Sequence, residues 1–451
     1  MKEPRPKKDK DIVNSCAKAL LAGLLPPWKV EQEIAESHRL PPPKNFRLAA
    51  LSRRKFIEEM TGQKFDFIPV PERAYKIQHK CPRCNFVWEL DARDTDLRCS
   101  LCESELKSLD VFGPLVSNYV GGSDAYYSYA GAIRVKGDIN KEFINLLVYG
   151  TGLGPIGVAR GCHYINGFGG AEVRVSERGR AARCNGCIFS SEQTRRRAIE
   201  VLEKNLERIK SEMAAPLAEF SGLVGPVEFE LVESHDRFIL FVDFLAEFEN
   251  FRGHSDTSRA VGLAKKKCED LLQAEGLDFE LSVIAQGYDG DLKPSPRNKR
   301  GRYAAAEIRV PVDDFEQTLK VEAKKFLSFV HLDSIGARKL GCQFYSGMGG
   351  EIVPAVFKAT QVNPQSPLVS AFENIHAREE GGDIVYGVEL PNVEAGIASC
   401  REGIISPAAR EALRIMGIRN AREFAASLAA QVLAGEFNLA LEISREKLYK
   451  A

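Results

Sequence analysis

Four cysteines are spaced to hold one metal ion. The segment HKCPRCNFVWELDARDTDLRCSLCESEL places Cys81 and Cys84 in one C-x2-C pair and Cys99 and Cys102 in another, with fourteen residues between them. Each pair forms a tight knuckle that offers two thiolates, and two knuckles complete a closed tetrahedral site. Such a site has no open position for water, so its expected role is structural rather than catalytic. Zinc is the expected ion, with iron as the competitor. Phe86, Trp88 and Leu90 alternate between the knuckles as a ribbon strand does. His79, Lys80, Arg83, Arg93 and Arg98 are offset by Glu89, Asp91, Asp94 and Asp96. That mixture favours bracing the fold or contacting a protein over binding nucleic acid.

The remaining reactive residues are less ordered. Cys184 and Cys187 form a C-x2-C pair with no second pair beside them. They read as ordinary thiols beside a turn, as a redox pair, or as sharers of a metal with Cys162 and His163. GTGLGPIG (150–157) lacks the GK[ST] of a phosphate loop. The histidines show no HExxH or other paired spacing.

Composition narrows the classes further. Lys plus Arg equals Asp plus Glu, at 62 each, which argues against a broad nucleic-acid footprint and leaves room for a small patch. No run of eighteen apolar residues occurs, so no transmembrane helix and no membrane partner are expected. The basic opening MKEPRPKKDK lacks the apolar stretch of a secretory signal; it reads as a solvated tail or a phosphate-binding arm. The missing targeting signals and the many thiols lead to an expected cytoplasmic location.

The elements that must position these residues follow from periodicity. Residues 11–60 read as helical, with Gly62 closing the last helix. QTRRRAIEVLEKNLERIKSEM (193–213) is an amphipathic helix with Ala198, Leu202, Leu206, Ile209 and Met213 on one face. Strands are expected at about 172–176, in VEFELVES, in RFILFVDFLAEF and in FELSVIA, with a helix at about 257–274. The order β-α-β-β-α-β is the split, ferredoxin-like pattern. A further strand is expected in AAAEIRVPV, and three helical segments should close the chain from about 407 to 450.

Several stretches, taken in order, resemble the 3-hydroxy-3-methylglutaryl-CoA (HMG-CoA) reductase family, archaeal type. VLAGEFNLALEISREKLYK resembles its closing helix, and SNYVGGSDAYYSYAGAIRVKG (117–137) its ENxIG segment. ARGCHYINGFGG (159–170) fits NRGC…GG, GYDGDLKPSPRNKRGR (287–302) fits the DKKPxxxN…GRG loop, and DIVYGVELPN (383–392) fits DLYISxTLPS. The resemblance implies an α+β protein. Its reductase-like large domain would span 108–190 and 287–451, with an inserted ferredoxin-like, nucleotide-binding-like small domain at 191–286. An N-terminal helical region (1–74) and a four-cysteine zinc ribbon (75–107) complete the expected organisation.

The family reduces a CoA thioester twice with a nicotinamide cofactor, using a Glu, a Lys, an Asp and a His. On this chain those four positions fall on Thr151, Leu292, Asn363 and Lys447. A leucine cannot stabilise an oxyanion, and Thr151 and Asn363 cannot act as proton-donating carboxyls. The cofactor segment DAMG becomes DTSR, from Asp256 to Arg259, and an arginine in place of its glycine argues against NADPH. Arg183, Lys293, Asn298 and Asn118 match substrate-side positions, while the serine partner of the substrate carboxylate becomes Ala285. Arg and Lys in one pocket attract an acidic acyl group or a CoA phosphate.

The favoured reading is therefore a reductase-like protein without reductase activity, binding an acyl-CoA or acidic ligand or serving as a structural or regulatory subunit. The alternatives are a repurposed enzyme on a CoA-type substrate, using Cys184, Cys187, Lys447 or Asp291; a divergent NAD(P)H-dependent reductase; and a ribbon-led interaction module for protein or nucleic acid. SGMGGEIV (346–353) matches the family's glycine-rich interface segment, which implies a homodimer or higher oligomer.

Overall fold

The structure is a computed structural model that describes residues 9–25, 29–40, 44–62, 64, 76–84, 87–91, 98–99, 102–105, 107–108, 127–149, 153–218, 228–233, 238–249, 254–285, 301–342, 347–362, 367–397 and 407–445. Three helices open it: α1 (Asp9–Leu21), α2 (Val30–His38) and α3 (Lys44–Thr61). Gly62, at φ +66°, ends α3 in the left-handed conformation that glycine adopts without strain. Ile12, Cys16, Leu20, Ile34, Leu48 and Phe56 carry these helices into the main core. Arg53 and Glu31, both buried, tie α3 to α2 through a two-pronged ion pair, with Nη1 donating to Oε2 at 3.1 Å.

A small antiparallel sheet follows, with β1 (Lys76–Lys80) between β2 (Val87–Asp91) and β3 (Lys107–Ser108). The main sheet has six strands. In chain order they are β4 (Tyr127–Gly137), β5 (Phe143–Tyr149), β6 (Ala171–Val175), β11 (Arg302–Pro311), β12 (Asn374–Glu380) and β13 (Asp383–Val393). Their spatial order is β12-β13-β11-β6-β4-β5; only β4 and β6 pair parallel, joined by α4 (Leu153–Gly167) after β5.

A second sheet is inserted between β6 and β11. It runs β7 (Gly179–Ile188), α5 (Glu192–Ala218), β8 (Glu228–Glu233), β9 (Ile239–Phe248), α6 (His254–Ala274) and β10 (Leu281–Ala285), in the order β10-β7-β9-β8, antiparallel throughout. The expected β-α-β-β-α-β order is present, but its first strand is β7 and not the segment near 172–176. That segment, β6, pairs instead with β4 and β11. Its AEVRV sequence alternates buried and exposed as a clean strand. GRAARCNGCI shows no such alternation in its sequence. Ala198, Leu202 and Ile209 of α5 pack with Ala264, Cys268 and Leu272 of α6 in this unit's own core.

Arg302 joins the two sheets. Its guanidinium, almost fully buried, donates to the carbonyls of Ser176 (3.0 Å) and Glu177 from Nη1 and of Glu249 (2.6 Å) from Nη2. Six helices follow among the described residues: α7 (Val312–Leu319), α8 (Ala323–Lys339), α9 (Gly349–Thr360), α10 (Pro367–Ser370), α11 (Pro407–Ile415) and α12 (Ala421–Ser444). Two closing helices, not three, stand among the described residues. Asn420 caps α12 by accepting from the Glu423 amide at 2.9 Å, and the helix then runs unbroken. It is long and apolar enough to cross a membrane by length and hydropathy, although no strictly apolar run of eighteen exists in the sequence. Ninety-four per cent of its most apolar window is buried inside the protein, so here it is the core helix. Each fully buried Leu or Phe along it contributes about 2 kcal/mol.

Candidate functional site

The four sequence-predicted cysteines converge. Their Sγ atoms all lie within 4.8 Å of one another, with Cys81–Cys102 at 3.4 Å and Cys84–Cys99 at 3.6 Å. A tetrahedron with metal–sulfur bonds of about 2.3 Å has edges of about 3.8 Å, so the thiols stand where one ion would need them. None is in a disulfide.

Local structure sets each knuckle. Cys81 follows β1 directly, and the Cys84 amide donates to its sulfur at 3.4 Å, as a turn around a thiolate does. In the second knuckle the Cys99 amide donates to the Ser104 carbonyl at 2.9 Å, and the Glu103 amide donates back to Cys99 at 2.7 Å. Glu103 takes φ +57° to close that turn. Arg98 and Glu105 bridge beneath it. Contact with Ser104, through hydroxyl and amide, holds the Cys102 thiol below its ordinary range, toward the thiolate that a metal binds. Cys81 and Cys99 are buried while Cys84 is exposed, so the cluster sits at the edge of its sheet. Four soft thiol ligands with no fifth group among the described residues fit a structural ion, which would cross-link β1 to the second knuckle.

Among the described residues the other cysteines form no second centre. Cys184 and Cys187 are three apart on β7, positions on opposite faces of a sheet. Burial raises the Cys187 thiol, and it pushes Cys162 up to about 12. Cys162, on α4, donates to the Ala132 carbonyl of β4 at 3.1 Å. Thiols held in this way are poor nucleophiles.

Of the ligand-side residues, Arg183 lies on β7 opposite Phe244 of β9, and Ala285 ends β10 opposite Cys184. Asp256 and Arg259 fall in the first turns of α6. Asn118, Thr151, Leu292, Lys293, Asn298, Asn363 and Lys447 lie outside the described residues. By connectivity Thr151 follows β5, Leu292, Lys293 and Asn298 join β10 to β11, Asn363 follows α9, and Lys447 follows α12.

One constellation was missed from sequence. Glu373 and Glu436 meet at the start of α9, inside the SGMGGEIV segment. Glu373 Oε1 accepts from the amides of Gly347 (2.9 Å) and Gly349 (3.2 Å), and Glu436 Oε1 accepts from Met348 and from Gly349 (3.2 Å). Burial and the neighbouring Glu436 raise Glu373 well above the carboxylate range, so the pair keeps a proton. Glu436, the one charged residue between Glu423 and Glu442 of α12, was a visible signal; Glu373, distant in sequence, gave none.

The architecture defines a reductase class of fold. The class II 3-hydroxy-3-methylglutaryl-CoA reductase from Streptococcus pneumoniae, in a structure bound to NADPH, superposes with a TM-score of 0.52 at 15% identity, covering 73% of this chain and 78% of that one. Residues 96–451 match the family described as hydroxymethylglutaryl-coenzyme A reductase, and the chain belongs to that family. It is 25% identical over 366 residues to the reductase of Pyrococcus abyssi, covering 76% of this chain and 84% of that protein. It is 22% identical over 467 residues to the reductase of Aeropyrum pernix, covering 99% and 96%.

Proposed function

We propose that this protein is a reductase-family member that has lost the reductase reaction and keeps a site for an acyl-CoA or related acidic ligand, acting as a binding or regulatory subunit. The observation that carries this reading is the set of side chains at the four catalytic positions. Thr151, Leu292 and Asn363 carry no ionisable group, and Lys447 replaces an imidazole. Without a lysine at 292 a developing oxyanion has no cation at that position. Arg183, Lys293, Asn298 and Asn118 are the residues assigned to the ligand. Arg259, where the cofactor needs glycine, argues against NADPH. The four-stranded unit, in the strand order of a ferredoxin-like fold, would then be a retained nucleotide-domain scaffold.

The cysteine cluster is assigned to zinc, in a ribbon that braces the fold or receives a protein partner. Its four-thiolate donor set supports a structural ion. The glycine-rich segment at 346–353 supports a homodimer.

A match along nearly the full length of an archaeal reductase favours a second reading, a divergent NAD(P)H-dependent reductase. Calorimetric titration of the purified protein with HMG-CoA and with NADPH separates the two. The expected result is binding of HMG-CoA, weakened at least tenfold in Arg183→Ala and Lys293→Ala, and no binding of NADPH. Saturable NADPH binding in the micromolar range would overturn the first reading.

A further inference from the structure

The main sheet has a second face whose charges the proposed function does not use. β6 buries Ala171, Val173 and Val175 and turns Glu172 and Arg174 to the opposite side. The register lines up Glu172, Glu307, Gly387 and His376 in one row across β6, β11, β13 and β12. The next row on that face is Arg174, Ala305, Glu389 and Asn374.

Gly387 opens the first row. A β-carbon there would stand 2.5 Å from Nε2 and Cε1 of His376, so the imidazole occupies the space that a side chain would fill. The ring thereby reaches across β13, and its Nε2 lies 3.0 Å from Glu307 Oε2. Arg174 and Arg378 approach the same oxygen at 3.7 and 3.6 Å. The Glu307 side chain is 13% exposed, while Arg174 is 52% and Arg378 47% exposed. The carboxylate is thus the floor of the cluster, and the guanidiniums stand open above it. The C-terminal half of α8 adds Ser334 and Arg338, and Cys342 lies beyond its end; together they line a half-open cavity of about 560 Å³. That volume is in the range of small-molecule sites.

The pairing of the guanidiniums selects the ligand. Of the three guanidiniums lining the cavity, Arg378 is paired with Glu380 at 3.1 Å and Arg174 stands 3.7 Å from Glu307, while Glu389 already accepts from the Tyr303 hydroxyl at 3.0 Å. Arg338 has no ion-pair partner among the described residues. Guanidiniums hold carboxylates and phosphates through paired donors, and one such guanidinium suits a single head group rather than a polyanion. We propose that this cavity binds a small molecule through one carboxylate or phosphate head, at a site sharing no residue with the CoA ligand site.

Cys342, exposed at the rim, supplies the readout. The purified full chain is treated with iodoacetamide, and Cys342 alkylation is followed by peptide mass, with inorganic phosphate added in one arm and butyrate in the other. We expect at least one anion to slow alkylation fivefold or more, saturably; the stronger protector identifies the head group. Arg338→Ala and the double substitution Arg174→Ala/Arg378→Ala should raise the protecting concentration tenfold or more. Gly387→Ser, which displaces His376 from Glu307, should raise it severalfold. Arg338 is exposed, so Arg338→Ala tests the site even where the double variant fails to fold. No protection by either anion, or protection unchanged in Arg338→Ala, overturns the proposal.

Discussion

Gly161 of α4 lies directly against the backbone carbonyl of Ala434 on α12. A β-carbon at 161 would overlap that oxygen and come within 3.0 Å of the Ala434 Cα. The ARGC motif therefore has glycine because two helices meet there backbone to backbone. Relief would require α12, the core helix, to move. Gly161→Ala should lower stability by about 3 kcal/mol. Urea titration checks it, and an unchanged midpoint would show that the contact is looser than described.

Metal content follows from the cysteine cluster. The protein as purified should carry about one equivalent of zinc per chain. Chelation, or Cys81→Ser, should release it and lower the melting temperature without dissolving the main sheet, which has a core of its own. Elemental analysis and a thermal melt read both effects, and a metal-free protein with an unaltered melt would remove the assignment.

Arg302 should behave as a clamp. Burial lowers its value to about 10, with Arg422 adding to the effect, so it keeps its charge at neutral pH. Lysine keeps the charge but lacks the fork that serves carbonyls on two sides. Arg302→Lys should cost about 2 kcal/mol in denaturant titration. Equal stability would mean that the inserted unit is held by other contacts.

The Glu373–Glu436 pair sets a pH dependence. A carboxyl raised in the folded state binds its proton more tightly folded than unfolded. Its contribution is complete below the ordinary value of 4.5 and is lost as pH rises through the raised value. Glu373→Gln removes this titration and can still accept from Gly347. The variant should gain on the wild type by about 1 kcal/mol or more between pH 5 and pH 8. Parallel pH–stability curves for the two proteins would contradict the shared proton.

What the sequence revealed divides by range. The cysteine knuckles were legible because each is built from neighbours, Cys81 with Cys84 and Cys99 with Cys102. The buried face of α5 was legible because Ala198, Leu202 and Ile209 recur at helical spacing. β7 was misplaced because the regular alternation of Glu172 and Arg174 in β6 looked more like a strand than Arg183-Cys184-Asn185-Gly186 did. The acid pair, and the cluster of Arg174, Glu307 and His376, were illegible because register and helix packing join residues far apart in the chain. The placing of the catalytic positions on Thr151, Leu292, Asn363 and Lys447 rests on resemblance to the family, since nothing local marks Leu292 or Asn363.

The central claim, that the family's reaction has been lost, meets its most direct test in nicotinamide absorbance. Metal-loaded protein is mixed with HMG-CoA and NADPH, or NADH, and oxidation is followed at substrate saturation. Loss of the reaction predicts no oxidation above the protein-free rate. Turnover at about 1 s⁻¹ or faster, the range of ordinary enzymes, would contradict it.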